Sequence, residues 1–448
     1  MLQDQPKNSV LSRIKSHITA GLTSRYLPVY LAILAVLLTL PSLKVGLVLD
    51  DYWHAVYMKK LPGVIPIQDS TLDMFRFIDG DPQRIAEVMD YGFLPWWTYE
   101  KLKGAFWRPV TSMTHWLDYR LWPDTPALMH AQNIFWFAAL IIAITFYYYR
   151  MMGLTWLAGL AALLYTFDDA HGMPVGFIAN RNAIIATFWG ILTLISHDHW
   201  RCKEWPKGRF LSPILLLASL LSAEAGIGTF AYLLAYAIFL EQGTWRKRFS
   251  TLAPYVVVIG IWRMVWTLLG YGMNGAGIYI DPLHQPFAFL VSIVTKAPVL
   301  LLGQWALPPV DLMLMLNSNK YLYIIYPLVI LLFIFLFPLL RKDRLARFWA
   351  AGSARPAAFG RPSWPRRCAR SASPLLLWPW SAHPRAAPCP KPPRRRAASE
   401  GKPRQTEPPP PREASHGWDP RGVAHSGRQR VISRRPNTVK PMSPGGCS

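Results

Sequence analysis

The sequence is poor in cysteine and lacks the motifs that mark several common enzyme classes. It has 448 residues but 4 cysteines, and Cys202 is the single one before residue 341. One cysteine can form neither a disulfide framework nor a Cys/His zinc site in that part of the chain. Glycine-rich phosphate loops and nucleophile elbows are also missing. These absences exclude disulfide-stabilised folds, zinc-finger folds, P-loop enzymes and α/β-hydrolases.

Acidic residues are scarce as well, but the excess of positive charge belongs to one segment. The chain has 48 Lys and Arg against 25 Asp and Glu, which gives a net charge of +23. Residues 341–448 hold 23 of these basic residues and 5 of the acidic ones. The rest of the chain is therefore close to balanced and offers no basic surface for nucleic acid. We predict no nucleic-acid partner.

Apolar and aromatic residues, in contrast, are abundant. Hydrophobic residues make up 52% of the chain, with 20 Trp, 19 Tyr and 21 Phe. The first apolar run, residues 26–49, is long enough to cross a bilayer, and similar runs recur. It precedes no small-residue cleavage site, so we interpret it as a retained anchor. The sequence predicts an all-α polytopic membrane protein with about eight transmembrane helices. The predicted spans cover residues 26–49, 126–149, 154–167, 179–195, 210–221, 226–240, 252–269 and 322–340.

The basic residues orient this predicted bundle. Residues 1–25 are basic, so the positive-inside rule places them in the cytoplasm. The large loop 50–125 then lies on the extracytoplasmic side, where its aromatic residues predict short surface helices. We interpret residues 270–320 as a re-entrant or surface segment, because a crossing helix there would put the basic run after residue 340 outside. Residues 26–349 form the predicted membrane domain.

The character of the sequence changes at residue 350. Residues 350–448 are rich in Arg, Pro, Ala and Ser, and 19 of the 40 prolines follow residue 340. Such composition predicts a disordered tail. A second interpretation, which we favour, is an out-of-frame translation of GC-rich coding sequence after a truncated bundle.

Four polar clusters fall on the predicted extracytoplasmic side: Asp50 and Asp51, residues 108–120, residues 168–182, and Glu224 together with residues 279–281. A carboxylate can take a proton from an attacking hydroxyl, and arginines can hold a phosphate bidentately. Their shared side indicates handling of an anionic lipid headgroup. Taken singly, each cluster also has a structural explanation, such as a helix cap, a solvated turn or an interfacial histidine.

Five segments, in this order and spacing, resemble the GT-C membrane glycosyltransferases, in particular the protein O-mannosyltransferases and their bacterial relatives. The resemblance covers about residues 25–350 and none of the tail. It implies a GT-C-like bundle with a large first extracytoplasmic loop. The segments are LVLDDYWH after the first span, FWRPVTSMTHWLDYRLW with PALMHAQN, AHGMPVGFIANRN, LLSAEAG and YGMNGAGIYIDP.

The resemblance implies an inverting enzyme that transfers a sugar from a polyprenyl-phosphate donor to a hydroxyl of a protein or lipid acceptor. The catalytic base would be Asp50 or Asp51, and we favour Asp51. Arg181 or Arg263 would neutralise the lipid phosphate. We expect the enzyme in a bacterial inner membrane, with the active site facing the periplasm. The implied substrate-binding residues are His54, Arg108, His115, Asp118, His171, Asn180, Arg181, Glu224, Arg263, Tyr279 and Asp281.

Some relatives use a divalent metal, Mg²⁺ or Mn²⁺, for which Asp168, Asp169 and Glu224 would be the ligands. No spacing in the sequence demands this metal, and no other cofactor is expected. The chain departs from the family in having Asp168 and Asp169 where relatives often have His-Pro, and Ala223 where they often have Lys. Relatives also continue with further spans.

Two other functions stay open. One is an inactive truncated pseudo-enzyme, which the tail favours. The other is a transporter or flippase of lipid-linked sugar, which Arg263 inside the seventh predicted span favours.

Overall fold

The computed structural model describes most of the chain before residue 354. All described residues belong to the first of two units, Met1–Ser371, and the second unit, Ala372–Ser448, lies outside them. Tyr279 and Asp281, to which the sequence assigns roles, also lie outside the described residues. The described residues are 10–60, 70–275, 280, 285–303 and 322–353.

The apolar runs form helices, and several of these begin with proline in the first turn, where its missing N–H has no helical partner to lose. Side chains cap other helix starts: Asp81 accepts the Gln83 N–H at 2.9 Å. The α-helices are α1 Val10–Leu22, α2 Leu27–Thr39, α3 Asp50–Lys59, α4 Pro82–Asp90, α5 Pro109–Leu121, α6 Pro126–Met152, α7 Trp156–Phe167, α8 Gly172–Gly176, α9 Arg181–Arg201, α10 Gly208–Leu220, α11 Gly228–Ala235, α12 Trp245–Ser250, α13 Ala253–Leu268, α14 Pro286–Gly303, α15 Leu322–Lys342 and α16 Arg344–Ser353.

These helices confirm the predicted all-α membrane fold. One detail differs from the predicted spans. Helix α2, in the first predicted span, ends at Thr39, and the chain tightens into a 3₁₀ turn at Leu40–Lys44, because Pro41 has no backbone N–H to continue the α-helical ladder. The number of spans stays a prediction. In the described part of the chain, the stretches long and apolar enough to cross a membrane are Leu27–Lys44, Pro126–Met152, Ile178–Arg201 and Tyr323–Lys342, with shorter apolar helices at Trp156–Phe167, Gly208–Leu220, Glu224–Leu240, Ala253–Leu268 and Pro286–Pro298.

Helix α6 lies at the centre of the bundle and packs against α2, α7 and α9, while α9 packs against α10.

One close contact between Gly226 and Ser219 fixes the turn after α10. A Cβ on Gly226 would lie 2.8 Å from the backbone oxygen of Ser219, so only glycine allows the 3₁₀ turn Glu224–Ile227 to sit there. The side chain of Glu224 is held at one end of the bundle as a result.

A small antiparallel sheet, which the sequence analysis did not predict, joins two distant loops. Strand β1, Arg76–Asp79, pairs with β2, Lys103–Ala105, which pairs with β3, Gly272–Asn274. The Tyr271 hydroxyl donates to Asp73 at 2.8 Å. The sheet thereby fixes the loop before α5 to the end of α13.

At the opposite end of the bundle, α16 packs its aromatic side chains into the core. Phe348 and Trp349 are buried. The Trp349 ring lies 5.7 Å from that of Tyr147 and 5.4 Å from that of Tyr148, near the end of α6. The end of α15 therefore lies beside the end of α6. The re-entrant nature of residues 270–320 and the disorder of the tail stay predictions.

Candidate active site

The start of α3 is anchored by Asp51. One carboxylate oxygen accepts the N–H of Val48 at 2.9 Å, and the other accepts the N–H of Ala179 at 2.6 Å. The residue is 1% exposed. Burial raises the pKa of Asp51, while its backbone hydrogen bonds oppose that shift. Both oxygens are thus engaged in joining α3 to the segment that leads into α9.

Asp50 stands one residue earlier and has a different environment. It is exposed, and its carboxylate makes no hydrogen bond to any described residue. Partial burial raises the pKa of Asp50, and the positive charge of Arg108 opposes this effect. Of the two adjacent acids, Asp50 is the one with an accessible carboxylate.

Arg108 and Glu224 form an ion pair between two loops. The Nε and Nη2 atoms of Arg108 both lie 2.8 Å from Oε2 of Glu224. The guanidinium also lies over two rings, with its Cζ 4.3 Å from the centroid of Phe106 and 5.1 Å from that of Phe75. The two side chains are 16% and 25% exposed, so the pair lies at the rim of the site.

Two hydrogen bonds at the start of α5 explain why Arg108 contacts Glu224. The N–H of Val110 donates to the carbonyl of Leu221 at 3.1 Å, and the hydroxyl of Thr111 donates to the carbonyl of Ser222 at 2.8 Å. The first turn of α5 therefore donates one otherwise unpaired N–H group and one side-chain hydroxyl to the turn after α10. Arg108, just before this turn, is held against Glu224.

Arg181 lies in the core and not at the rim. It is 0% exposed, and its ion pair with the equally buried Asp118 measures 2.5 Å. All five of its N–H groups have acceptors inside the protein, which favours a structural role. The acceptors are the side chains of Asn133, Thr114, Gln132 and Asp118 and the carbonyl of Met129.

The rings of His54 and His115 contact each other beneath the rim of the site, which the Arg108–Glu224 pair forms. Their ring centroids are 5.0 Å apart, and both residues are buried. Burial lowers the pKa of His54 to about 3, and the charges of Arg108 and Arg181 add to the shift. Burial also lowers the pKa of His115 well below its usual value. Both rings are therefore neutral at physiological pH.

The other predicted residues lie apart from this group or have local partners. His171 packs its ring 4.6 Å from Tyr165 and bonds the Tyr165 carbonyl at 3.0 Å. Asn180 is half-buried where α9 begins. Arg263 lies on α13 with its Cζ 4.3 Å from the Trp266 ring centroid.

The predicted metal ligands do not form a donor set. Asp168 accepts the Ala170 N–H at 3.1 Å, Asp169 is exposed, and Glu224 is paired with Arg108. Among the described residues, no group of three or more His, Cys, Asp or Glu side chains could hold a metal ion.

Sequence reasoning missed two residues of the site. Phe75 lies between the two histidines and Arg108, with its ring centroid 4.9 Å from that of His54 and 5.7 Å from that of His115. Ser112 is fully buried on α5, four residues after Arg108 and three before His115. Helical spacing from those two residues was a signal that could have identified Ser112.

Comparison with known proteins gives a partial similarity. Over 195 residues the chain is 27% identical to a protein O-mannosyl-transferase of Caenorhabditis elegans. The aligned part covers 42% of this chain and 26% of that protein. No family model matches the chain, and no solved structure matches it significantly. The similarity supports, at most, a glycosyltransferase-like membrane protein.

Proposed function

We propose that this chain is a membrane glycosyltransferase that moves a sugar from a polyprenyl-phosphate donor to a hydroxyl group of a protein or lipid acceptor. The observation that carries the proposal is an accessible carboxylate, Asp50, beside the Arg108–Glu224 pair at one end of the helical bundle. The similarity to a protein O-mannosyl-transferase supports the same chemistry.

Asp50 is the proposed general base. The acceptor oxygen attacks the anomeric carbon and forms the new C–O bond, while the bond from that carbon to the phosphate oxygen breaks. The phosphate leaves with the bonding electrons, and the acceptor proton passes to Asp50. Attack opposite the leaving group inverts the anomeric centre. The resemblance implied Asp50 or Asp51 as the base, and the sequence interpretation favoured Asp51. Engagement of both Asp51 oxygens by backbone N–H groups supports a positioning role for Asp51 instead.

Arg108 is the proposed partner of the departing phosphate. Glu224 binds its Nε and Nη2 atoms and so fixes the plane of the guanidinium. A fixed guanidinium stabilises charge that develops on the leaving oxygen without having to reorganise.

The proposed site faces the extracytoplasmic side of the membrane. Arg150 and Arg201 lie at the other end of the bundle, where α6 and α9 end. Basic residues are retained on the cytoplasmic side, which supports this orientation. In a bacterium the proposed site would face the periplasm.

The test uses membranes that contain the full chain and polyprenyl-phosphate mannose as the donor. We expect Asp50→Asn to lower transfer by about 10² to 10⁴-fold, the usual contribution of a general base. Asp90→Asn, which changes an exposed carboxylate of α4 in the same loop, serves as the matched control and keeps the wild-type rate.

Two outcomes would overturn the proposal. Transfer that is unchanged in Asp50→Asn would refute Asp50 as the base. Movement of the sugar-lipid across vesicle membranes by the purified chain, without transfer, would instead establish the transporter.

A further inference from the structure

Several polar atoms beneath the candidate site are buried without partners. Oγ of Ser112, Oε1 of Glu224 and both ring nitrogens of His115 have no hydrogen-bond partner among the described residues. His54 lies beside the backbone of Met74, but neither of its ring nitrogens reaches hydrogen-bond geometry there. Buried polar atoms without partners cost free energy and are rare in native proteins. A group of them in one place indicates that something else supplies the missing bonds.

These atoms border a single region. Arg108, Ser112 and His115 follow one another at spacings of four and three residues, which puts them on one face of α5. Glu224 joins this face through its bond to Arg108. His54 joins it from α3 through its contact with the His115 ring. The Phe75 ring lies among them and gives the region an apolar wall.

The donors and acceptors that these buried atoms offer indicate which kind of ligand they would bind. A neutral imidazole offers one donor and one acceptor, a serine hydroxyl offers both, and Oε1 of Glu224 accepts. The positive charges of Arg108 and Arg181 disfavour a cation. The carboxylate of Glu224 disfavours an anion at the same atoms. Neutral hydroxyl groups, which both donate and accept, match this mixture.

We propose that His54, Ser112, His115 and Oε1 of Glu224 bind the hydroxyl groups of the donor sugar, with Phe75 against the sugar's apolar face. The proposal rests on the function proposed above and names the residues that recognise the sugar rather than the phosphate. The atoms are closed off from solvent. Binding of the sugar therefore requires the side chains that cover these atoms to move apart.

The experiment measures binding of two lipids, polyprenyl-phosphate mannose and polyprenyl phosphate, to the full chain in detergent. We expect Ser112→Ala and His115→Phe each to weaken binding of the mannose-bearing lipid about fivefold, the effect of losing a hydrogen bond. Binding of the bare lipid stays unchanged. Ser196→Ala is the matched control, because the Oγ of Ser196 is also buried and unpartnered but lies near the C-terminal end of α9, away from the candidate site. It leaves both affinities unchanged.

Three results would overturn this assignment. Wild-type affinity for both lipids in Ser112→Ala and His115→Phe, with equal or higher melting temperatures, would mean that the region holds only water or nothing. An equal loss for both lipids would show a general effect on the donor site. Failure of the unaltered chain to bind either lipid would refute the proposed donor as well, and the transfer assay with Asp50→Asn distinguishes that case.

Discussion

The carboxylate of Asp51 accepts the backbone N–H of Ala179 at 2.6 Å, across 128 positions of the sequence. This bond fixes the first turn of α3 to the segment that opens α9. Leu49, just before α3, has a φ of 46°, a conformation that is costly for a leucine. The bonds of Asp51 offset this strain and hold Asp50 in place at the rim.

Loss of the Asp51 carboxylate should therefore lower stability. We expect Asp51→Ala to destabilise the fold by about 1–3 kcal/mol, because the N–H groups of Val48 and Ala179 lose their acceptor. Asp50→Asn should change stability by less than about 0.5 kcal/mol, as exposed substitutions usually do. Melting temperatures of the purified variants test the difference. Equal melting temperatures for both would contradict the positioning role.

The pH dependence of transfer should report on Asp50. A general base works in its deprotonated form, so the rate rises as pH increases through its pKa. Burial raises the pKa of Asp50 and Arg108 opposes the shift. The acid limb of kcat/KM should therefore lie above the ordinary aspartate value, and Arg108→Gln should move it to higher pH. An acid limb that stays in place in Arg108→Gln would show that another group titrates.

The Arg108–Glu224 pair should contribute more than a solvated ion pair. We expect a double-mutant cycle with Arg108→Gln and Glu224→Gln to give a coupling energy of about 1–3 kcal/mol, because each single change leaves a partly buried partner. Arg84 and Asp79, 2.8 Å apart with Arg84 39% exposed, provide the control pair. Their coupling should stay below about 1 kcal/mol. Equal coupling in the two cycles would contradict the structure.

The helices were predictable from the sequence because long apolar runs indicate segments that bury their side chains in lipid. The apolar runs at 126–149 and 210–221, for example, are present as α6 and α10. The sheet was not predictable. Strand β2 has three residues, Lys103–Ala105, which are too few to show alternation, and β3 lies far along the chain.

The candidate site was predictable as a set of residue types but not as a set of contacts. The sequence around Arg181 fits a side chain that extends toward the interface equally well as a core ion pair, and only the positions of Asn133 and Asp118 decide between them. The two adjacent acids likewise differ only through their neighbours. The resemblance could not distinguish the one that binds backbone N–H groups from the one that is exposed.

Replacement of Arg181 by Lys tests whether this arginine is structural. Lysine has three donors and cannot fill the five positions that Arg181 fills, so Asp118 and Asn133 lose partners inside the core. We expect a loss of about 3–5 kcal/mol, seen as poor accumulation in membranes and a lower melting temperature. If Arg181 binds the lipid phosphate instead, the lysine variant folds normally and loses only donor binding.

Truncation should locate the point at which the folded part of the chain ends. Phe348 is fully buried and Trp349 is 7% exposed. The Trp349 ring packs against Tyr147 and Tyr148 at the end of α6, and the Phe348 ring packs against Tyr232 and Tyr236. Removal of residues 343–448 deletes α16 and opens this aromatic core, so we expect the melting temperature to fall. Phe348→Ala alone should cost about 3–5 kcal/mol. Removal of residues 354–448 should leave the melting temperature unchanged, since the Arg- and Pro-rich composition predicts no core. A large loss from the shorter deletion would show that the tail belongs to the fold and would refute both its predicted disorder and the out-of-frame interpretation.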